Sequence, residues 1–344
     1  MPFSGSLELT HRCNLSCRHC YQYKPAGVEM NLERWIGVLD ELADAGCLFL
    51  AFTGGEPLLR QDLFHLLSAA VDRHFAITLQ TNATLLDRER IRLLGQTPTL
   101  MIDVSIYGAS PETHDFLTGE KGSFLATRRA LDLLKEEEIP FMLKTIVGDF
   151  NLEEVEEIAG LAGELEVRVM FSSLIFPRND RDPAPTRLRL DDEGLERFMR
   201  FEVDYLPGYL SQVLGEEIED VVEYVQRCVI GPEDPDAVNK RYCGAGRTVF
   251  AINPYGDVYP CVAFPLVVGN IQQERFVEIW RKSPQLEELR RREMDLPEEC
   301  DECSYLDKCG ICRALSYQEC GEIIAVSREK CRLTKALMRV LDDV

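Results

Sequence analysis

Over roughly the first 175 residues, apolar runs of strand length alternate with amphipathic stretches of helix length. Leu7–Thr10 reads as a short strand. Residues 31–46 follow as a helix, with Leu32, Trp35, Ile36, Leu39 and Leu42 at helical spacing. Leu48–Phe52 is a continuous apolar run, the pattern of a strand buried on both faces. A helix near 61–73, a strand at 75–79, a helix near 87–95 and a strand at 100–106 continue the series. Helix 122–138 and strand 141–147 come next, and the last pair ends in strand 167–171. Asn151 is placed to cap the last helix, with Glu154 three residues on to return the hydrogen bond.

This alternation leaves few folds open. Consecutive parallel strands need helical crossovers, so the class is α/β with a parallel sheet and helices outside. Eight units close a barrel. Six predict a partial, open (β/α)6 TIM-like barrel, with its chemistry at the C-terminal ends of the strands. Residues 1–190 are assigned to this barrel. The stretch 176–190, FPRNDRDPAPTRLRL, reads as linker or exposed loop. Residues 191–239 form an acidic helical linker. Residues 240–344 change to short segments, glycines and cysteines, and form a small cysteine-rich domain that needs metal to supplement its core.

Net charge is −21, of which −14 falls between residues 151 and 239, where 22 acids face 8 bases. An acidic chain is a poor partner for nucleic-acid phosphates, so no nucleic acid is expected. No apolar run approaches membrane-spanning length and the first residues lack the form of a secretory signal, so no membrane partner and a cytoplasmic location are expected.

Thirteen cysteines, an odd number, argue against a disulfide framework and for thiolates that bind metal. Cys13, Cys17 and Cys20 share one loop after the first strand. A closed zinc site wants four ligands. Three thiolates suit a four-iron cluster with one iron left open, and the loop's place puts that open iron at the catalytic face of the barrel.

The segment Cys13-Asn14-Leu15-Ser16-Cys17-Arg18-His19-Cys20, with Gly54-Gly55-Glu56-Pro57 after the second strand, resembles the radical S-adenosylmethionine (SAM) superfamily. The resemblance implies that the three cysteines hold a [4Fe–4S] cluster whose open iron is chelated by SAM. An external electron donor reduces the cluster, SAM is cleaved, and the 5′-deoxyadenosyl radical abstracts hydrogen from a substrate. It further implies that His19 lies near the adenine, and that Gly54, Gly55 and Glu56 form the turn at the methionine amino group. Thr81 and Asn82 then contact ribose or carboxylate, Ser105 contacts SAM, and Lys144 faces the methionine carboxylate. Where the family frequently has an acid after the fourth-strand serine, this chain has Tyr107, to which no role is given.

Cys243, Cys261, Cys300, Cys303, Cys309, Cys312 and Cys331 are similar in order and spacing to the SPASM extension of radical SAM enzymes, which binds auxiliary [4Fe–4S] clusters. By that resemblance Cys300, Cys303, Cys309 and Cys331 hold an outer cluster, and Cys243, Cys261 and Cys312 an inner one. The inner cluster keeps an open iron or is completed by Cys228 or Cys320. A zinc ribbon accounts for Cys300, Cys303, Cys309 and Cys312 but leaves the others unexplained. Cys47, at a strand start, reads as core.

The run from Val104 to Asp115, with Thr118-Gly119 and Gly122-Ser123-Phe124 after it, resembles SPASM proteins that mature ribosomally made peptides. The expected substrate is therefore a peptide or protein, altered by a thioether, C–C or C–O crosslink or by dehydrogenation. With no room before the first strand for a recognition domain, a separate leader-binding protein is a candidate partner. The acidic middle segment, including Glu216, Glu217, Glu219 and Asp220, is a candidate surface for a basic leader. Two alternatives stand beside this reading: a radical enzyme acting on a small molecule such as a tetrapyrrole, and a non-catalytic zinc or iron–sulfur scaffold. The sequence singles out no general acid or base.

Overall fold

The structure, a computed structural model, describes residues 1–23, 27–97, 100–214, 243–292 and 295–343. Cys228 and the acidic group Glu216, Glu217, Glu219 and Asp220 lie outside the described residues.

Six strands form the parallel series: β1 (Ser4–Thr10), β2 (Phe49–Gly54), β3 (Ala76–Thr81), β4 (Leu100–Ser105), β5 (Phe141–Ile146) and β6 (Val169–Ser172). Helices α1 (Leu32–Asp44), α2 (Leu63–Asp72), α3 (Arg88–Leu94), α4 (Pro111–Thr118), α5 (Ser123–Glu136) and α6 (Val155–Leu165) connect them. α1 shows why these stretches fold as they do. The Asn31 side chain accepts from the Arg34 N–H and starts the helix. Trp35, Val38, Leu39 and Leu42 then bury its inner face.

Two local expectations fail, each for a physical reason. β2 is not buried on both faces: Leu50 and Phe52 are in the core, whereas Phe49 is 45% exposed. Phe49 is the strand's first residue and Thr53 on the same face is buried, so cover is lost only where the strand begins. The capping box at Asn151 does not form either. The Asn151 amide donates to the carbonyls of Tyr107 (3.0 Å) and Ile146 (2.9 Å) and accepts from the Gly148 N–H (3.0 Å). Glu154 instead accepts from the Ala109 and Ser110 N–H groups and from both neighbouring hydroxyls, Ser110 and Thr113. Both residues are recruited to the turn after β4. That turn also leads into α4, which the sequence reading, with its helix at 122–138, did not place. Ser110 starts it and Gly119, left-handed at φ 69°, ends it.

The sheet continues past β1. Strand β7 (Val249–Ile252) pairs with β1 in parallel, and β8 (Asp257–Tyr259) and β9 (Gly269–Asn270) follow antiparallel, giving the order β6-β5-β4-β3-β2-β1-β7-β8-β9. Phe250, Ile252 and Val258 join the same core as Leu7, Phe52 and Leu79, with α8 (Phe276–Lys282) contributing Phe276, Ile279 and Trp280. A second, smaller core forms around Ala245, Phe264, Leu289 and Ala314, with Cys243, Cys261 and Cys312 packed against it. Helix α9 (Pro284–Arg291) supplies Leu289 and α10 (Arg313–Cys320) supplies Ala314. The long α7 (Asp192–Leu214) packs on the last helix, α11 (Arg328–Asp342). An ionic cluster reinforces this junction: Arg189 reaches Glu319 (2.9 Å) and Glu329 (3.5 Å), and Arg332 reaches Glu329 (2.8 Å) and Asp192 (2.7 Å). Among the described residues no helix is long and apolar enough to cross a membrane.

Candidate functional site

A cavity of about 640 Å³ opens at the C-terminal ends of β1 to β4. The loop after β1 supplies Cys13, Cys17, His19 and Cys20 to its wall. The turn after β2 supplies Gly54 and Gly55, the end of β3 supplies Thr81 and Asn82, and β4 supplies Ser105. Nine of the residues expected at the site thus meet around one space, from four chain segments.

The cysteine loop is held by the end of α4. Ser16 N–H donates to Thr118 O and Arg18 N–H to Leu117 O, both at 2.9 Å. The Arg18 side chain adds a bond to Phe116 O at 2.9 Å and lies over the Phe116 ring at 4.1 Å. These bonds take up carbonyls that end the helix, and the cation opposes the dipole there. On the other side, Asn82 donates to the Asn14 side chain (3.1 Å), and Asn14 donates to Thr84 (2.8 Å).

The paired glycines line the cavity, but their need for glycine comes from the chain behind them. Gly54 has φ 128°, and a Cβ there would lie 2.3 Å from the Thr10 carbonyl oxygen; one on Gly55 would lie 2.2 Å from that of Arg12. The turn sits against the end of β1, with Gly55 N–H bonded to Thr10 O (2.7 Å) and Glu56 N–H to Arg12 O (2.8 Å).

Two expected residues do not line the cavity. Glu56 is fully buried behind the wall, its carboxylate accepting from the Thr81 hydroxyl, the Asn82 N–H (2.9 Å) and the Leu58 N–H (3.0 Å). Burial raises its pKa, and these donors only partly oppose that. It shapes the wall rather than forming it. Lys144 pairs instead with Asp103, which is 5% exposed on β4 and also accepts from Gln80 (3.4 Å). A lysine in an apolar strand needs a counter-charge, and the barrel interior supplies one.

Tyr107, given no role in the sequence, stands on the cavity wall. Its ring meets His19 edge-on at 4.6 Å. Burial raises the phenol pKa strongly, and the neighbouring Cys17, Cys20 and Cys13 thiols add to the effect. Burial also brings His19 down to about 4, so its ring is neutral. Tyr21 is a second addition. Its pKa is raised by burial first, then by Glu8, Cys20 and Cys261, so it lies between the N-terminal thiols and the C-terminal ones. Neither tyrosine carries a spacing signal in the sequence.

By their electrostatic neighbours the C-terminal cysteines group in two. Cys261 is pushed up to about 12, by burial and then by Cys243 and Cys312. Cys300 is raised by burial and then by Cys331, Cys309 and Cys303. Cys320 belongs to neither: it is exposed, its thiol contacts the Val326 carbonyl at 3.5 Å, and its charged neighbours are Glu319, Arg328, Glu322 and Arg181. Arg313, 5% exposed at the start of α10, feels both Cys243 and Cys300 and so lies between the sets. Cys47 is core, 4% exposed and pushed up to about 12 by burial.

By donor chemistry these thiols suit iron–sulfur clusters, although among the described residues no three ligating side chains stand together in a metal-holding group. Three soft thiols face a roomy cavity with hydroxyl, amide and imidazole groups around it, and the His19 Nδ1 there is buried without a hydrogen-bond partner. Residues 7–162 match the family model of the radical SAM superfamily, and residues 243–304 match that of SPASM, an iron–sulfur cluster-binding domain. The AdoMet-dependent heme synthase of Methanosarcina barkeri is 30% identical over 330 residues, covering 92% of this chain and 93% of the relative. The PqqA peptide cyclase of Rhizobium meliloti is 29% identical over 316 residues, covering 88% and 79%. The solved structure of native anSMEcpe with bound AdoMet and Cp18Cys peptide superposes with a TM-score of 0.74 at 20% identity, over 100% of this chain and 99% of that one.

Proposed function

The chain belongs to the radical SAM superfamily and carries a SPASM domain, and from that premise we propose that it is a maturase acting on a ribosomally made peptide. Its cofactors are [4Fe–4S] clusters and SAM. When bound, they supply one-electron cleavage of the sulfonium, which ends in hydrogen abstraction from the substrate.

The chain's own residues give that chemistry its place. Cys13, Cys17 and Cys20 would hold the SAM-binding cluster; Cys300, Cys303, Cys309 and Cys331 the outer auxiliary cluster; and Cys243, Cys261 and Cys312 the inner one. His19, Gly54, Gly55, Thr81, Asn82 and Ser105 would surround SAM, with Glu56 acting from behind the wall and Lys144 from the barrel interior, where it pairs with Asp103. The working division of the chain is a barrel at 1–190, a linker at 191–239 and an auxiliary-cluster domain at 240–344. A reduced, cytoplasmic setting suits cysteines of which none among the described residues is joined in a disulfide. An electron donor and a separate leader-binding protein are the remaining partners of this reading.

The observation that carries the peptide reading is the likeness to a peptide cyclase over most of both chains. The heme synthase, at slightly higher identity and near end-to-end coverage, supports a second reading, in which the substrate is a tetrapyrrole. Anaerobically reconstituted protein, given reductant and SAM, is expected to form 5′-deoxyadenosine. Mass spectrometry of short peptides encoded beside the gene and co-expressed with the protein is expected to show a loss of hydrogen mass. A modified tetrapyrrole with unaltered peptides would decide for the second reading, and protein that takes up zinc but no iron would overturn both.

A further inference from the structure

The cofactor cavity opens at the C-terminal ends of the strands; another, of about 510 Å³, opens beside the starts of β1 and β7. On the wall of this second space stand Arg247, just before β7, Arg281 of α8 and Arg290 of α9. The chain around them carries a net charge of −21. Three bonds give two of these arginines structural work. Arg290 Nε donates to Gly246 O (2.7 Å) and its Nη1 to Trp280 O (2.8 Å), while Arg247 Nη2 donates to Arg290 O (3.0 Å). They tie the approach to β7 to α8 and α9. All three acceptors are carbonyl oxygens, which a neutral amide also satisfies, so this work does not account for the charge.

The charge of Arg290 is only partly answered within the protein. Its guanidinium lies over the Trp280 ring at 4.8 Å, and its Nη2 is buried with no hydrogen-bond partner. Burial lowers its pKa, and the neighbouring Arg247 cation lowers it further. Asp44, the carboxylate on the same wall, is mostly exposed and faces Arg275 at 3.7 Å. A cation held partly out of water beside a like charge is stabilised by a counter-anion. A guanidinium fork offers two parallel N–H groups, the geometry that an oxyanion accepts. Several such groups on one wall favour a multiply charged anion over a single carboxylate. The volume falls in the range of small-molecule sites, about 300–1,000 Å³.

We propose that this cavity is a binding site for a phosphate-type oxyanion, held by Arg281 and Arg290 with Arg247 adding its charge. The phosphoryl group comes either as free inorganic phosphate or as part of a nucleotide. The site shares no residue with the wall of the cofactor cavity and stands independently of what that cavity binds.

The test is anaerobic titration calorimetry on iron-loaded full-length protein in Tris chloride at constant ionic strength, with inorganic phosphate in one arm and ATP in the other. Saturable phosphate binding is expected, with a Kd of about 1 mM or below. ATP that binds at least about tenfold tighter than phosphate assigns the site to a nucleotide; ATP that binds no tighter assigns it to the free ion. Arg281→Gln, a change at an exposed residue, is expected to weaken phosphate binding roughly 3- to 10-fold. Arg290→Gln keeps donors for the two carbonyls and removes the charge, for an expected loss of at least about 10-fold. Both variants are expected to keep native iron content and 5′-deoxyadenosine formation, since neither residue lines the cofactor cavity. Wild-type protein with no saturable binding of either probe would overturn the proposal. So would native phosphate affinity in Arg281→Gln, which decides the matter even if Arg290→Gln fails to fold.

Discussion

The two oxygens of the Glu56 carboxylate accept the Thr81 hydroxyl at 2.8 and 2.9 Å, which ties the turn after β2 to the end of β3 from behind the cavity wall. The same carboxylate holds the Asn82 N–H, and the Asn82 side chain reaches the cysteine loop through Asn14. One buried acid therefore organises three of the segments that meet at the site.

Glu56→Gln keeps the shape but places an amide NH2 where only acceptors are wanted. It is expected to destabilise the protein by about 1–3 kcal/mol, the cost of leaving a buried donor or acceptor unpaired. SAM binding is expected to weaken with it, because Asn82 loses its anchor. Urea unfolding and SAM titration check the two effects; native stability in Glu56→Gln would show that the carboxylate is dispensable.

Lys144 and Asp103 form an ion pair in the barrel interior. Lys144→Met leaves Asp103 buried and uncompensated, for an expected loss of about 3–5 kcal/mol. Adding Asp103→Leu removes the stranded charge, and most of the stability should return. SAM affinity should return as well, since Lys144 does not line the cavity. A double variant that is stable yet unable to bind SAM would assign Lys144 to the cofactor after all.

Cys312 stands with Cys243 and Cys261, whereas Cys320 stands apart from both thiol sets. Cys320→Ser is expected to leave iron and sulfide content unchanged. Cys312→Ser is expected to lose iron on the order of one cluster, about four atoms per chain. Equal iron loss in both variants would place Cys320 in a ligand set.

His114 gives stability a pH dependence. Burial lowers its pKa from 6.5 to about 4. Above pH 6.5 it is neutral both folded and unfolded and has no effect. As pH falls from 6.5 toward 4 the unfolded chain takes a proton that the folded chain refuses, so stability is lost across that window, by up to about 3 kcal/mol. His114→Asn keeps an acceptor for the Tyr107 N–H and cannot titrate there. Melting temperatures of the two proteins between pH 4.5 and 7.5 (roughly the window set by the shifted pKa) should converge at the acid end; parallel curves would refute the assignment.

Sequence by itself determined the parts governed by local periodicity and by side-chain chemistry. The alternation of runs was enough for six parallel strands with outer helices, because hydrophobic period and chain reach leave no other economical fold. The soft-ligand chemistry of Cys13, Cys17 and Cys20 was equally local, since one short loop carries all three. Tertiary structure decided everything that depends on which strands lie side by side. Register set Ser105 beside Lys144 and left Lys144 to pair with Asp103 inside the barrel. Packing sent Glu56 behind the wall and turned Asn151 and Glu154 from helix caps into supports for the turn after β4. It also carried the sheet past β1 into β7, so that the region expected to stand on its own small core shares the barrel's. Tyr107 shows the difference most clearly: no spacing marks it, and its place between His19 and Asn151 brings together three segments far apart in sequence that meet only on folding.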